Sequence, residues 1–366
     1  MDLATWIEWI VKSLMMILVL LTGFAYTTYM ERKLLARFQN RYGPNRAGPK
    51  GLLQPIADAV KLIFKEELIP AQADKLIFII APIITTVPAW IILAVIPLGT
   101  VQLFGQTIDL SIAGDLNVGI LYIASVTSIS VYGIVLAGWS SNNKYATMGG
   151  IRSTAQMISY ELALGLSFVG PIMMAGSMSL GQIVETQGQM GWFVLYQPIG
   201  FIVFLIAALA EINRPPFDMP EAEQELTAGY HVEYSGMKFA MFMLTEYTKM
   251  VVVSTIAVTL FLGGYHLPFV TDRFPWLGPV VLFVKVLLLV YGIIWVRATL
   301  PRIRYDQLMA LGWKIMLPTA AGSREAPTTA TVRGWRSGTR ELAVAMRSRS
   351  SARSRRETGP LTGNCT

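Results

Sequence analysis

The stretch Ile77-Phe-Ile-Ile-Ala-Pro-Ile-Ile-Thr-Thr-Val-Pro-Ala-Trp-Ile-Ile-Leu-Ala-Val-Ile-Pro-Leu-Gly99 runs for 23 residues without a charged side chain. About 20 predominantly apolar residues are enough for a helix to cross a hydrocarbon layer roughly 30 Å thick. No water reaches a backbone at that depth, so the segment has to satisfy its own N–H and C=O groups, and a helix does so. Six further segments share this character: Val11–Tyr29, Val118–Gly138, Met157–Gly176, Trp192–Ala210, Phe239–Leu262 and Pro279–Leu300. The expectation is an all-α integral membrane protein, a polytopic helical bundle with seven spans.

Bulk properties agree. The 366 residues are 53% hydrophobic and 14% charged, with mean hydropathy +0.50. A soluble domain carries about 25% charge, so a soluble multi-domain reading leaves too much apolar surface in water. The first segment begins after an acidic residue and ends in Tyr29-Met-Glu-Arg-Lys33 rather than in a small-residue cleavage site, so it reads as a span and not as a signal peptide. No internal repeat is evident, which argues against an inverted-repeat transporter.

Charge gives orientation. Loop 31–76 holds nine Lys/Arg, whereas the loops 100–117, 177–191 and 263–278 hold only Arg273. The positive-inside rule then places the N-terminus outside and the long loops in the cytoplasm. Most of the net charge of +7 lies in residues 319–366, where nine Arg face three Glu. That segment is Arg, Ser, Thr, Ala and Gly without apolar periodicity, and it reads as a basic, disordered tail after a membrane domain of residues 1–318. Its composition is what a shifted reading of GC-rich DNA yields, and a frameshift is the origin we expect. The single cysteine, Cys365, and the two separated histidines, His231 and His266, form no cluster at metal-ligand spacing, so no metal site is expected in this chain. No nucleic-acid-binding module is present.

Chemistry concentrates in two loops and a few charges inside spans. Leu52–Glu66 has apolar residues at helical spacing with Asp58 and Lys61 on the wet side, three apart and set to pair. It is short for a span and is expected to lie along the membrane surface. Glu161, Glu246, Lys249 and Lys285 fall within apolar segments, and Glu211 ends the fifth. A charge at the bilayer centre costs roughly 2.5–3.5 kcal/mol on insertion scales, so such groups face a cavity or one another. Proton carriage is the functional reading; a static Glu246–Lys249 pair gluing helices is its alternative. After Arg214-Pro-Pro-Phe217, the acids Asp218, Glu221, Glu223 and Glu225 crowd eight residues, and such a group titrates as a unit.

These strings resemble a known family. Glu31-Arg-Lys, Arg41-Tyr-Gly-Pro-Asn-Arg46 and Gly51-Leu-Leu-Gln-Pro-Ile-Ala-Asp-Ala-Val-Lys-Leu62 are similar to the first-loop signature of subunit 1, or H, of complex I, NADH:quinone oxidoreductase. Ala210-Glu-Ile-Asn-Arg-Pro-Pro-Phe-Asp-Met-Pro-Glu-Ala-Glu-Gln-Glu-Leu226 and Gly229-Tyr-His-Val-Glu-Tyr-Ser235 are similar to its second signature, and Arg152-Ser-Thr-Ala-Gln-Met-Ile-Ser-Tyr-Glu161 fits as well. The resemblance implies a subunit of a proton-pumping respiratory enzyme in a bacterial plasma membrane. It implies quinone, ubiquinone or menaquinone, as substrate, with NADH, flavin and iron–sulfur clusters held by partner subunits of the membrane and peripheral arms. It implies that Glu31, Arg32, Asp58, Lys61 and Phe217 line a quinone chamber. It also implies that Glu161, Glu211 and Glu246, fed by Asp218, Glu221, Glu223 and Glu225, form a carboxylate path coupling quinone reduction to proton translocation. The family ends in an eighth span where this chain has its basic tail. Two alternatives stay open: the corresponding ion-translocating subunit of a membrane-bound hydrogenase, and a passive anchor for peripheral redox subunits.

Overall fold

The computed structural model describes residues 3–103, 106–114, 116–219, 227–268, 271 and 274–322. Helices joined by turns and loops make up these residues, with one small hairpin among them. In order it forms α1 (Leu3–Phe38), α2 (Gln54–Ile63), α3 (Lys75–Leu93), α4 (Gly119–Ser140), α5 (Lys144–Ala175), α6 (Leu180–Met190), α7 (Phe193–Tyr196), α8 (Pro198–Glu211), α9 (Gly236–Phe261) and α10 (Gly278–Thr299). A final helical run follows: α11 (Tyr305–Ala310), a π-helical stretch Leu311–Met316, and α12 (Leu317–Gly322). Between α3 and α4 the strands β1 (Thr100–Leu103) and β2 (Gln106–Asp109) pair antiparallel, Thr100 opposite Asp109.

Each of the seven apolar segments contains helix, although in Ile77–Gly99 the helix stops at Leu93 and residues 94–99 run on without it. Six helices, α1, α3, α4, α5, α9 and α10, are long and apolar enough to cross a membrane. The fifth segment is different. Instead of one helix over Trp192–Ala210, a single turn ends at Tyr196 and α8 begins at Pro198. Proline lacks an N–H and is suited to the first turn, where no intrahelical bond is forfeited, so it starts α8 there. The remaining 14 residues span only about 21 Å at 1.5 Å per residue. At the other end of the chain, helix continues four residues past Pro318, through Thr319 and the fully buried Ala320. The helical domain therefore reaches Gly322, because Thr-Ala-Ala tolerates helix and Thr319 Oγ1 bonds back to Ile315 O at 2.8 Å. The remainder of the basic tail, with Cys365, lies outside the described residues, as do Arg273 and the acids Glu221, Glu223 and Glu225.

Lipid tails are as apolar as leucine, so these helices associate through close packing and polar contacts rather than through expulsion of water. Small residues permit the approach. A Cβ on Gly133 of α4 would meet Thr85 of α3, and one on Gly149 of α5 would stand 2.8 Å from the Gly229 backbone. Prolines 82 and 88 lack an N–H and so leave Phe78 O and Ile84 O of α3 without their usual donors; between them, Thr86 Oγ1 bonds to Pro82 O at 2.7 Å and meets Thr245 Oγ1 of α9 at 2.7 Å, tying the two helices together. The aromatic core runs Phe168, Phe204, Phe261 and Phe201, with centroids 5.3–5.9 Å apart. By contrast α1 exposes Leu14, Leu18 and Ile10, and α2 buries no residue at all. Central α9, buried along most of its length, is the scaffold on which the charged groups meet.

Candidate functional site

Three elements converge in the interior of the bundle. Helix α1 brings Glu31, α9 brings Glu246 and Lys249, and the end of α8 with its following turn brings Glu211 and Arg214. All five are buried. The turn is irregular for a reason: Asn213 takes a left-handed conformation (φ 57°) and Pro215-Pro216 ends the helix, so Arg214 leaves α8 sideways into the bundle.

The guanidinium of Arg214 lies between two carboxylates, 3.7 Å from Glu31 Oε1 and 3.2 Å from Glu246 Oε2. It also sits over the Tyr247 ring, 4.4 Å from its centroid. Glu31 pairs in addition with Arg297 from the last turn of α10. Beside this cluster, Lys249 Nζ donates to Glu211 Oε1 at 3.3 Å. The two groups therefore balance internally: Glu31 and Glu246 against Arg214 and Arg297, and Glu211 against Lys249. Such balance is what allows ionised side chains away from water, because each desolvated charge needs a partner. Glu161 stands further along on α5 and accepts from Ser128 of α4.

This arrangement corrects two pairings expected from spacing. Glu246 and Lys249 share a face of α9 but do not pair; Lys249 reaches Glu211 at the end of α8 and Glu246 reaches Arg214 on the turn that follows, because packing sets these partners closer than the i+3 neighbour. Asp58 pairs not with Lys61 but with Arg32 of α1, at 2.5 Å, and accepts from Gln54 Nε2 at 3.1 Å. Lys61 is exposed. Glu31, Arg32 and Asp58 are thus brought near one another, and Lys61 is not drawn into their contacts among the described residues.

A cavity of about 30 Å3, room for roughly two waters, opens beside Glu211 and Lys249 and is lined by Thr127, Ser130 and apolar side chains of α3, α4 and α9. Phe217 does not face it. Its ring is buried against Tyr160, centroids 5.6 Å apart, and its N–H closes the turn onto Arg214 O at 2.9 Å. Asp218, just outside the spans, is 8% exposed and bound to Arg302 at 2.9 Å. Burial pushes its carboxyl up to about 6, against the opposing pull of the Arg302 guanidinium.

Comparison with known proteins now decides the family. Residues 11–323 match the family model described as NADH dehydrogenase. An H-type subunit of the NADH-quinone oxidoreductase of Geobacter sulfurreducens is 52% identical over 324 residues, covering 86% of this chain and 92% of that protein. The chain belongs to the family of NADH-quinone oxidoreductase H-type subunits. The H-type protein of Thermomicrobium roseum is 52% identical over 312 residues, 82% of this chain and 89% of that protein; that of Dehalococcoides mccartyi is 51% identical over 311 residues, 83% of each. The family match extends past Pro318 to residue 323, in step with the helix that reaches Gly322.

For a chain of this family, the sequence reading missed the cations. Arg214 was visible only as a loop charge, and Arg297 and Arg302 carried no assignment. The signal was available: three buried acids with one intramembrane lysine nearby leave a charge deficit, and Arg297 closes the seventh segment in Ile293-Ile-Trp-Val-Arg297.

Proposed function

We propose that this chain is the membrane subunit of a proton-pumping NADH:quinone oxidoreductase in a bacterial plasma membrane, N-terminus outside, where it forms part of the quinone chamber and the carboxylate path into the membrane. The observation that carries this reading is the series Glu31–Arg214–Glu246, buried and joined at its rim by half-buried Arg297, set beside Lys249–Glu211 and a water-sized cavity. A passive anchor needs no ionisable groups there, and each one costs desolvation energy.

The chain's own residues divide the work. Arg32 and Asp58, at the surface end of α1 beside amphipathic α2, are placed to meet a polar quinone headgroup arriving from the membrane. Glu31 lies next to Arg32 in sequence and inside the ion-pair cluster. A change of charge at the headgroup is therefore felt through Glu31 and Arg214 by Glu246, since Coulomb coupling falls only as 1/r and the surroundings have a low dielectric. A proton gained or lost at Glu246 then alters the balance at Lys249–Glu211. The cavity lined by Thr127 and Ser130 can hold water for transfer toward Glu161. Quinone reduction itself draws electrons from groups carried by partner subunits.

The test uses the assembled complex in membranes. Glu211→Gln and Glu246→Gln should leave assembly intact and lower quinone reductase activity or proton pumping per turnover by about tenfold or more. Wild-type pumping in both variants removes the two acids from the mechanism and leaves the anchor reading. Quinone-independent hydrogen evolution by the purified complex would favour the hydrogenase alternative.

A further inference from the structure

Outside the charged series, one polar side chain of α5, Gln156, is fully buried against the turn that follows α8. Its Nε2 lies 2.7 Å from Phe217 O, 2.9 Å from Ala210 O and 3.1 Å from Asn213 Oδ1. A primary amide has two hydrogens, so three acceptors compete for two bonds. Its Oε1, meanwhile, is buried with no hydrogen-bond partner among the described residues. Flipping the amide does not relieve this, because Oε1 would then face three acceptors.

The three acceptors mark the start, middle and end of one turn. Ala210 precedes Glu211, Asn213 precedes Arg214, and Phe217 precedes Asp218. Asn213 is further held to α5 by weak contacts, its Nδ2 lying 3.5 Å from Ser153 Oγ and 3.7 Å from Met157 S. One amide therefore fixes the segment that presents a buried acid, the bridging guanidinium and the loop acid. It does so from the helix that carries Glu161, five residues on.

We infer that Gln156 is a positioning residue of the proton path: it aims Arg214 between Glu31 and Glu246, and its surplus of acceptors lets the turn exchange one hydrogen bond for another when the charge on those carboxylates changes. In one arrangement Nε2 serves Ala210 O and Phe217 O, the shorter pair. In the other, Asn213 Oδ1 replaces one of them and the turn shifts against α5. Either arrangement leaves one of the three acceptors without a hydrogen from Nε2, which is the condition for two states of similar energy.

This inference rests on the proposed coupling role, and its test is designed to separate the two. Gln156→Met keeps the volume and removes both donors. Gln156→Glu keeps the shape and can donate only when its carboxyl is protonated. In assembled complex, checked by native gel, Gln156→Met should lower quinone reductase turnover with a short-chain ubiquinone analogue by roughly tenfold, the effect of a lost buried donor. Gln156→Glu should regain turnover as pH falls, which loss of packing alone cannot produce. Wild-type turnover and pH profile in Gln156→Met, or equal losses in both variants at every pH, overturn the inference. Glu211→Gln measured alongside reports on the coupling role itself: an impaired Glu211→Gln with a silent Gln156→Met sinks only the positioning role. A silent Glu211→Gln with a pH-rescued Gln156→Glu sinks only the path through Glu211.

Discussion

Arg214 and Glu246 stand 3.2 Å apart on different elements, one on an irregular turn after α8 and the other in the middle of α9. Neither residue is more than 6% exposed. Breaking a buried pair by removing one partner strands the other charge, at a cost of about 3–5 kcal/mol, whereas removing both together is far less costly. Arg214→Gln should therefore destabilise the protein strongly, and Arg214→Gln with Glu246→Gln should recover much of the loss. The heat-induced loss of assembled complex, followed by native gel, reads both. A double variant as fragile as the single one shows that Arg214 acts through something other than this carboxylate.

Asp218 and Arg302 form a second pair, outside the spanning helices, where Ile303 N–H also donates to Pro216 O at 3.2 Å. Burial raises the Asp218 carboxyl from its ordinary 3.8 to about 6. Between those values the folded protein binds more protons than the unfolded chain does, so its stability falls as pH rises through that window and is recovered on acidification. Asp218→Asn removes this dependence. The wild type should gain more thermal stability than the variant between pH 7 and pH 5. Equal slopes in the two proteins mean that the carboxyl titrates as an ordinary surface acid.

These two pairs show what the sequence made legible. Apolar runs such as Ile77–Gly99 announce helices because length and composition alone decide whether a segment can cross lipid. The acids Glu161, Glu211 and Glu246 stood out for the same reason, each an anomaly against an apolar background. Their partners did not, since partner choice depends on which faces the packed helices turn to one another. Spacing favoured Glu246–Lys249 and Asp58–Lys61, while packing gives Glu246–Arg214 and Asp58–Arg32. Phe217 entered the chamber set through the family resemblance alone; its packing against Tyr160 depends on the tertiary fold and has no signal in the sequence. The break before α8 was visible as Pro198, but an unbroken hydropathy window hides a helix start of this kind.

Lys285 looks like the other intramembrane charges but has a different role. It meets no carboxylate among the contacts described for it. Its Nζ donates instead to Leu262 O at 2.7 Å, Gly264 O at 3.0 Å and His266 O at 2.6 Å, and it lies 5.1 Å from the Trp192 ring centroid. These carbonyls belong to the end of α9 and the turn beyond it, where a helix has no internal donors left and its dipole is negative. Gln187 secures the same end through Thr259 O at 2.8 Å and the Gly263 N–H at 2.8 Å. Lys285→Met leaves three carbonyls without their donor in a place of low dielectric, a loss of about 3 kcal/mol. Because Glu246 and Lys249 sit in the middle of α9, more than three turns from the carbonyls Lys285 caps, the variant should melt earlier while the pH profile of turnover in the assembled complex stays that of the wild type. A shifted pH profile at unchanged thermal stability assigns Lys285 to proton transfer instead of to the capping of α9.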